Sequence, residues 1–229
     1  MKPIAIFLTI LLSVGAGRLS MAQNVIIGTE GTNNTTFEPD GTMVFNGDAT
    51  VWDDIMVFPD GTGKGGSNPP TWTKFLDNGF GSQGVFLWMF SATAENEVYF
   101  TVQIPHSYKV GTAIYPHVHW TTTTATPSGT NVVWGLEYSW AVISGSYPNT
   151  STLTANTLIP GQTPSDTHQH LITPLGTVTG SMGISTVLCC RLYRAATNAG
   201  DTFNGTVGLL GVDFHFQKDT EGSRSEYQK

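Results

Sequence analysis

The sequence predicts an all-β protein, namely a single-domain antiparallel β-sandwich of jelly-roll type. Three observations lead to this fold class. Apolar side chains recur at every second position in short segments, which is the period of a strand with one buried face. The 26 glycines and 12 prolines supply turn residues between these segments. No stretch after residue 22 keeps a helical period, and aromatic side chains on alternate positions suit two packed sheets.

Residues 1–22 have the features of a secretory signal sequence. Lys2 gives a positive start, residues 4–14 are apolar, and Ser20-Met21-Ala22 is a small-x-small cleavage site. The apolar run is short for a permanent span of a bilayer. We therefore expect a secreted or cell-surface protein with no membrane span once the signal is removed. The alternative is an N-terminal anchor that stays attached.

The charge balance argues against nucleic acid as a partner. The chain has 10 basic and 17 acidic residues, and removal of residues 1–22 takes away Lys2 and Arg18 but no acid. The remaining 8 basic residues against 17 acidic ones give a net charge of −9. A surface of this sign repels the phosphate backbone.

The segments after the signal divide into an arm, a domain and a tail. Residues 23–50 are rich in Gly, Asn, Thr and Asp, and we expect an extended N-terminal arm there. The β-sandwich domain spans 51–216, with strands predicted at 51–58, 84–90, 96–104, 112–121, 131–142, 151–158, 167–173, 184–193 and 205–216. A loop is expected over 60–71. The polar tail 217–229 is expected to leave the core and lie on a neighbour or in solvent.

Two of these strands show the buried face most clearly. In 131–142 one face carries Val132, Trp134, Leu136, Tyr138 and Trp140, and in 96–104 it carries Val98, Phe100, Val102 and Ile104. The adjacent Cys189 and Cys190 lie in another apolar strand and point to opposite faces, so a bond between them would be strained. We expect two small core-like side chains, the alternative being an intermolecular disulfide.

The segment Pro116-His117-Val118-His119-Trp120 is the sharpest candidate for a metal site. On a strand, His117 and His119 project to the same side and can present two imidazoles to one ion. The spacing from Gly111 matches the first half of the cupin metal motif, but Thr123 and Thr124 stand where that motif needs a glutamate. Residues that could complete a divalent-metal site are Glu137, His215 and the pair His168 and His170. The alternative is that these histidines form hydrogen bonds on a polar face or at a subunit contact.

Two tryptophans are candidates for ligand binding. Trp72 follows Pro69-Pro70 in the predicted loop, and Trp120 ends the histidine segment. Exposed aromatic faces of this kind stack on sugar rings. The sequence contains no G-x-S-x-G nucleophile elbow. The Gly-rich loop at 60–67 is not a phosphate-binding loop, because no lysine directly follows its last glycine and no helix is predicted after it. The sequence therefore predicts no catalytic residue and no obligatory cofactor.

A set of motifs from about residue 51 to the C-terminus has a family resemblance. The motifs are Trp52-Asp53-Asp54, Lys74-Phe75, Asp77-Asn78-Gly79, Gly81-Ser82-Gln83-Gly84-Val85-Phe86, Glu97-Val98-Tyr99-Phe100, Pro105-His106, Pro116-His117-Val118-His119-Trp120, Trp134-Gly135-Leu136-Glu137-Tyr138, Asp213-Phe214-His215-Phe216 and Gly222-Ser223-Arg224. This pattern resembles a largely uncharacterised family encoded by tailed bacteriophages, prophages and marine viruses. The resemblance implies a jelly roll and a virion surface component, such as a head or tail fibre or decoration protein, without a catalytic residue. Virion proteins normally have no secretion signal, so the predicted signal is a departure from this family. It would fit a related domain that serves in a bacterial cell envelope.

The leading functional hypothesis is an exported, non-enzymatic jelly-roll module that binds or assembles. We expect a homo-oligomer, most plausibly a trimer, with a surface glycan or a virion or cell-envelope protein as partner. One alternative is a carbohydrate-binding module that uses exposed aromatic side chains. The other is a cupin-like metal-dependent enzyme that uses His117 and His119.

Overall fold

The computed structural model describes residues 23–29, 31–58, 66–125, 129–161 and 167–229. The predicted signal sequence and most of the Gly-rich loop lie outside these ranges. Within them the chain forms a short 3₁₀ helix, Gly47–Ala49, and thirteen strands: β1 Val25–Gly28, β2 Asn34–Phe37, β3 Met43–Asn46, β4 Val51–Val57, β5 Thr71–Leu76, β6 Val85–Phe90, β7 Glu97–Gln103, β8 Tyr115–Thr122, β9 Asn131–Ala141, β10 Ser151–Leu158, β11 His170–Pro174, β12 Val187–Arg194 and β13 Val207–Lys218. Among the described residues, no helix has the length and apolar character needed to cross a membrane.

Two antiparallel sheets form the body of the protein. One has four strands in the order β10-β9-β12-β7. The other has six strands, with β11-β8-β13-β6-β5 as its path. The sixth strand, β4, pairs with the second half of β13, whereas β6 pairs with its first half. Because β8 pairs along nearly the whole of β13, β4 and β6 share the opposite edge of that strand.

The pairing of β6 to β13 is that of a jelly roll. In the six-stranded sheet β6 pairs with β13, β13 with β8 and β8 with β11. Counted from β6 as the first strand, this is the order first, eighth, third, sixth. In the four-stranded sheet β7 pairs with β12, β12 with β9 and β9 with β10. In the same count this is the order second, seventh, fourth, fifth. Two interlocked Greek keys of this kind define the jelly roll. The predicted fold class is confirmed, with β5 as an additional edge strand.

The core lies between the two sheets and is filled by alternate side chains. On β7 and the residue after it, Val98, Phe100, Val102 and Ile104 are buried, as predicted. On β9, Val132, Trp134, Leu136 and Tyr138 are buried, and Trp140 packs against the same cluster. Facing rings from the two sheets meet, with the centroids of Phe90 and Trp134 5.0 Å apart. The strand period therefore assigned the core-facing residues correctly.

The segment predicted as an extended arm contains a small three-stranded antiparallel sheet, β1-β2-β3. Its turns use glycines at positive φ, including Gly28 at 120° and Gly41 at 88°. The backbone N–H of Phe45 donates to the carbonyl of Asp219 at 2.7 Å, which ties this sheet to the chain beyond β13. The Gly, Asn, Thr and Asp residues that suggested an extended arm instead form short strands and the tight turns between them.

The C-terminal tail also differs from its prediction. Strand β13 continues to Lys218, and the tail then folds back on the protein itself. Lys229 pairs with Asp219 and Arg224 with Glu38, while Ser223 Oγ lies 2.6 Å from His106 Nδ1. Arg224 and Ser223 thus tie the tail to the segment after β2 and to the domain, and Lys229 Nζ also donates to the carbonyl of Tyr108. The Lys229–Asp219 pair lies within the tail itself.

Two further boundaries need correction. Strand β5 begins directly after Pro69-Pro70, at the last residue of the loop predicted over 60–71, and it includes Trp72, which was also predicted to lie in a loop. Strand β11 begins at His170, and His168 lies in the preceding turn with φ 68°. His168 and His170 therefore do not form a pair on one strand face, and the His168 ring packs against Phe75 instead.

Candidate functional site

The two histidines of β8 lie on the outer face of the six-stranded sheet. Their neighbours Val118 and Trp120 are fully buried in the core, so the strand alternation turns His117 and His119 away from it. The predicted same-side geometry is confirmed. The imidazoles consequently face solvent and not the space between the sheets.

Asp213 is the centre of this outer face. It lies in β13 between the core residues Val212 and Phe214, and its backbone is directly opposite His117. Two residues further along the same face, His215 is opposite Tyr115 on one side and Asp54 of β4 on the other. The pairing of β4, β13 and β8 thus gathers side chains from three distant parts of the chain.

The polar atoms of this cluster are within contact distance of each other. Asp213 Oδ2 lies 2.9 Å from His119 Nε2 and 3.1 Å from His215 Nε2. Asp213 Oδ1 lies 3.5 Å from His117 Nδ1. Asp54 Oδ1 is 3.2 Å from His215 Nε2. We call His117, Asp213 and His215 the His–Asp–His cluster. One potential ligand atom from each of its residues falls within 4.8 Å of the others.

The electrostatics of the cluster are unusual for a surface. The Asp213 residue is only 3% exposed, and its buried Oδ1 has no hydrogen-bond partner among the described residues. Burial lowers the pKa of the His117 imidazole, and the nearby His215 and His119 add to this, against the opposing charges of Asp213 and Asp54. The net pKa of His117 therefore lies below its ordinary value.

His119 is linked to a further histidine. Its Nδ1 lies 2.7 Å from Nε2 of His170, the first residue of β11, while its Nε2 contacts Asp213. One nitrogen of His119 therefore faces the carboxylate and the other faces His170. This arrangement fixes the ring and makes His119 a partner of Asp213.

An aromatic cleft adjoins the His–Asp–His cluster. Trp52 and Tyr115 meet edge to face with ring centroids 5.6 Å apart. Together with His117 and His215 they line a cleft of about 420 Å³. The Trp52 side chain is 55% exposed, so its indole has an accessible face. We call these four residues the outer-face cleft.

The structure places Glu137 elsewhere, contrary to its prediction as a metal ligand. It lies on the four-stranded sheet, where its Oε2 is 3.5 Å from Nη1 of Arg191. The same guanidinium binds Glu95 and Glu97, each at 2.5 Å. Because β8 and β9 belong to different sheets and both polar faces point outward, Glu137 and His117 lie on opposite sides of the sandwich.

The two predicted ligand-binding tryptophans have different environments. Trp120 is fully buried, and its Nε1 donates to Thr173 Oγ1 at 2.9 Å, so it is a core residue and the prediction for it is wrong. Trp72 is 46% exposed, but it lies on strand β5 and not in a loop. Its ring stacks on Phe86 and contacts Trp88.

Sequence reasoning did not select Asp213, Asp54, Trp52 or Tyr115 as site residues. A signal for Asp213 exists, because it precedes His215 by two positions and so shares its strand face. Asp54 and Trp52 are also two positions apart, but nothing in the sequence shows that β4 lies beside β13.

Comparisons with known proteins place few constraints on this chain. No protein-family model matches it, and no curated protein sequence matches it. One similar solved structure is that of infectious bursal disease virus, Gx strain, with 10% identity, a TM-score of 0.30 and coverage of 81% of this chain. The match spans only 44% of the viral chain. Another is the crystal structure of a carbohydrate-binding module specific for non-crystalline cellulose, CBM28, with 9% identity, a TM-score of 0.25 and coverage of 75% of this chain and 88% of that one.

Proposed function

We propose that this chain is an exported, non-catalytic binding module that takes a carbohydrate in the outer-face cleft. The observation that carries this proposal is the exposed Trp52 indole beside Tyr115, with the imidazoles of His117 and His215 in the same cleft. Aromatic faces pack against the C–H faces of sugar rings, and imidazole groups form hydrogen bonds with hydroxyls. A mainly apolar cleft with a few convergent polar groups is the usual form of a small-ligand site.

The shallow position of the cleft favours binding of a surface glycan. It lies on the outer face of a sheet whose opposite face is filled by the core, so a long chain can pass across it without entering the protein. The side chains of Trp52 and Tyr115 approach from two strands, β4 and β8, that β13 holds in fixed register. Such a preformed platform limits the ordering cost on binding.

A glycan array followed by calorimetry with the best ligand tests this proposal. We expect Trp52→Ala to weaken binding about tenfold or more, which corresponds to about 1.4 kcal/mol. Trp72→Ala is the matched control, because Trp72 is a similarly exposed tryptophan on the same sheet but outside the cleft. Absence of any glycan ligand, or loss of binding in Trp72→Ala with retention in Trp52→Ala, would count against the assignment.

A second candidate function is self-assembly through the β5–β6 hairpin. Strand β5 is the edge of the six-stranded sheet, and Trp72, Leu76, Val85 and Phe86 of the hairpin are exposed. At its tip Phe80 is 94% exposed. Edge strands with exposed apolar side chains are sites of pairing with another chain. A homo-oligomer that covers this hairpin fits the expectation of a trimer.

Light scattering coupled to size-exclusion chromatography tests the assembly. We expect the purified protein to elute as an oligomer and Phe80→Ser combined with Val85→Thr to shift it toward monomer. The control is Val142→Thr combined with Ile143→Ser. These two exposed residues directly follow β9 of the other sheet. A strictly monomeric wild-type protein at high concentration would rule this candidate out.

A further inference from the structure

A buried carboxylate between imidazoles is the feature that the carbohydrate proposal leaves unused. Asp213 is almost fully buried, yet one of its oxygens, Oδ1, accepts no hydrogen bond from the part of the chain that the structure describes. A buried carboxylate is costly unless a cation or several donors compensate it. Three imidazoles surround it, and each can offer a ring-nitrogen lone pair when neutral.

We propose that His117, Asp213 and His215 bind a divalent first-row transition-metal ion, with Zn²⁺ as the representative. Two imidazoles and one carboxylate form a common ligand set for such ions. The buried Oδ1 of Asp213 lies 3.5 Å from His117 Nδ1, and a bound ion would compensate its charge. Metal binding at this cluster does not depend on the carbohydrate ligand.

The distances suit such an ion after small side-chain rotations. Zinc binds histidine nitrogens and carboxylate oxygens at about 2.0–2.2 Å, so neighbouring ligand atoms of a tetrahedral site lie roughly 3.3–3.6 Å apart. His117 Nδ1 lies 3.5 Å from Asp213 Oδ1, and His215 Nε2 lies 3.1 Å from the other oxygen, Oδ2, so the two imidazoles flank the two oxygens of the carboxylate. The widest ligand separation, up to 4.8 Å, closes by rotation of the partly exposed imidazoles.

The residues around the cluster supply the support that metal ligands usually have. His119 holds Asp213 Oδ2 at 2.9 Å and is itself held by His170. Partners of this kind orient a ligating carboxylate and are worth about 10–100-fold in metal affinity. We therefore assign His119 as a positioning residue. This differs from its predicted role as a ligand.

The site also has an entry path and a free side. His117 and His215 are partly exposed on the outer face, whereas Asp213 lies beneath them. An ion can therefore reach the carboxylate from solvent without opening the core. Asp54 borders the same side, with its Oδ1 3.2 Å from His215 Nε2.

Direct metal titration tests the proposal. Untagged full-length mature protein is stripped with a chelator, dialysed, and titrated with Zn²⁺ by calorimetry and with Co²⁺ by visible absorption. We expect one ion per chain and a Co²⁺ spectrum of low coordination number. His215→Gln and Asp213→Asn should each weaken Zn²⁺ binding at least about 100-fold and abolish that spectrum.

Two further variants separate positioning and non-specific effects. His119→Gln should weaken Zn²⁺ binding about 10–100-fold while the Co²⁺ spectrum keeps its shape, because the ligand set is unchanged. His168→Gln, which alters a histidine outside the cluster, should bind like wild type. Should Asp213→Asn fail to fold, His215, whose side chain is 34% exposed, still provides the test. Wild-type protein that takes up no ion, or unchanged affinity in His215→Gln, would overturn the proposal and leave a hydrogen-bonded cluster.

Discussion

Arg194 and Asp201 form a bidentate ion pair whose side chains are almost completely buried. Nη2 of the guanidinium lies 2.7 Å from Oδ1, and Nε lies 3.0 Å from Oδ2. The remaining Nη1 donates to the carbonyl of Gly205 at 2.6 Å. Asp201 also accepts the backbone N–H of Val133 at 3.0 Å. This pair joins the end of β12 to the loop before β13 and to the start of β9.

Removal of either member of this pair should destabilise the protein strongly. Asp201→Asn leaves the Arg194 charge buried without compensation, for which we expect a loss of about 3–5 kcal/mol in the free energy of unfolding. Urea denaturation followed by tryptophan fluorescence measures it. The control is Asp77→Asn, which breaks the exposed Lys74–Asp77 pair and should change the free energy of unfolding far less. Equal losses in the two variants would contradict this reading.

Stability should fall on acidification partly through Glu97. Burial raises the pKa of Glu97. The hydrogen bond and the charge of Arg191 lower it by more than burial raises it, so the net pKa lies below the ordinary value of 4.5. The unfolded chain therefore takes up this proton first as pH falls. The contribution is present above the unfolded pKa and is lost as pH falls through the folded pKa.

Unfolding free energies of wild type and Glu97→Gln across acidic pH check this dependence. We expect the difference between the two proteins to be largest near neutral pH and to shrink below about pH 4.5. Glu221→Gln, at an exposed pair with Lys218, is the control and should leave the wild-type profile nearly unchanged. A constant difference between wild type and Glu97→Gln at all pH values would show that this carboxylate does not titrate as described.

The adjacent cysteines should differ in reactivity. Both thiols are free, with Cys189 exposed and Cys190 buried, and burial raises the pKa of Cys190 to about 12. Because the thiolate is the reactive form, we expect a thiol reagent to modify one cysteine in the native protein and both in denaturant. Mass spectrometry of the Cys189→Ser variant should then find no rapid native modification. Rapid labelling of Cys190 in that variant would be inconsistent with a buried side chain.

Trp120 should matter for stability and not for ligand binding. Trp120→Ala removes a fully buried ring and should cost about 3–5 kcal/mol. Thr173→Val leaves the indole N–H without its acceptor and should cost about 1–3 kcal/mol. Thermal unfolding checks both, with Trp52→Ala as the exposed comparison, expected to change stability by less than about 0.5 kcal/mol. A Trp120→Ala protein as stable as wild type would show that this ring is not in the core.

The sequence by itself determined which side chains of β7 and β9 face the core, because the two-residue period is a local property of each strand. It therefore placed Val98 and Trp134 inside, and it put His117 and His119 together on one outer face. It missed strand β5, since the prolines before Trp72 dominate the local pattern, and it missed the small sheet built from turn-rich residues.

Only the tertiary structure decided which outer-face side chains meet. Strand order depends on pairing between segments far apart in the chain, such as β8 with β13, where His119 contacts Asp213 across a separation of 94 residues. Local periodicity gives each strand two faces but does not tell which sheet the strand joins. Glu137 and Asp213 both alternate with core residues, yet one lies beside Arg191 on the four-stranded sheet and the other beneath the imidazoles on the six-stranded sheet. Long-range backbone pairing makes that distinction.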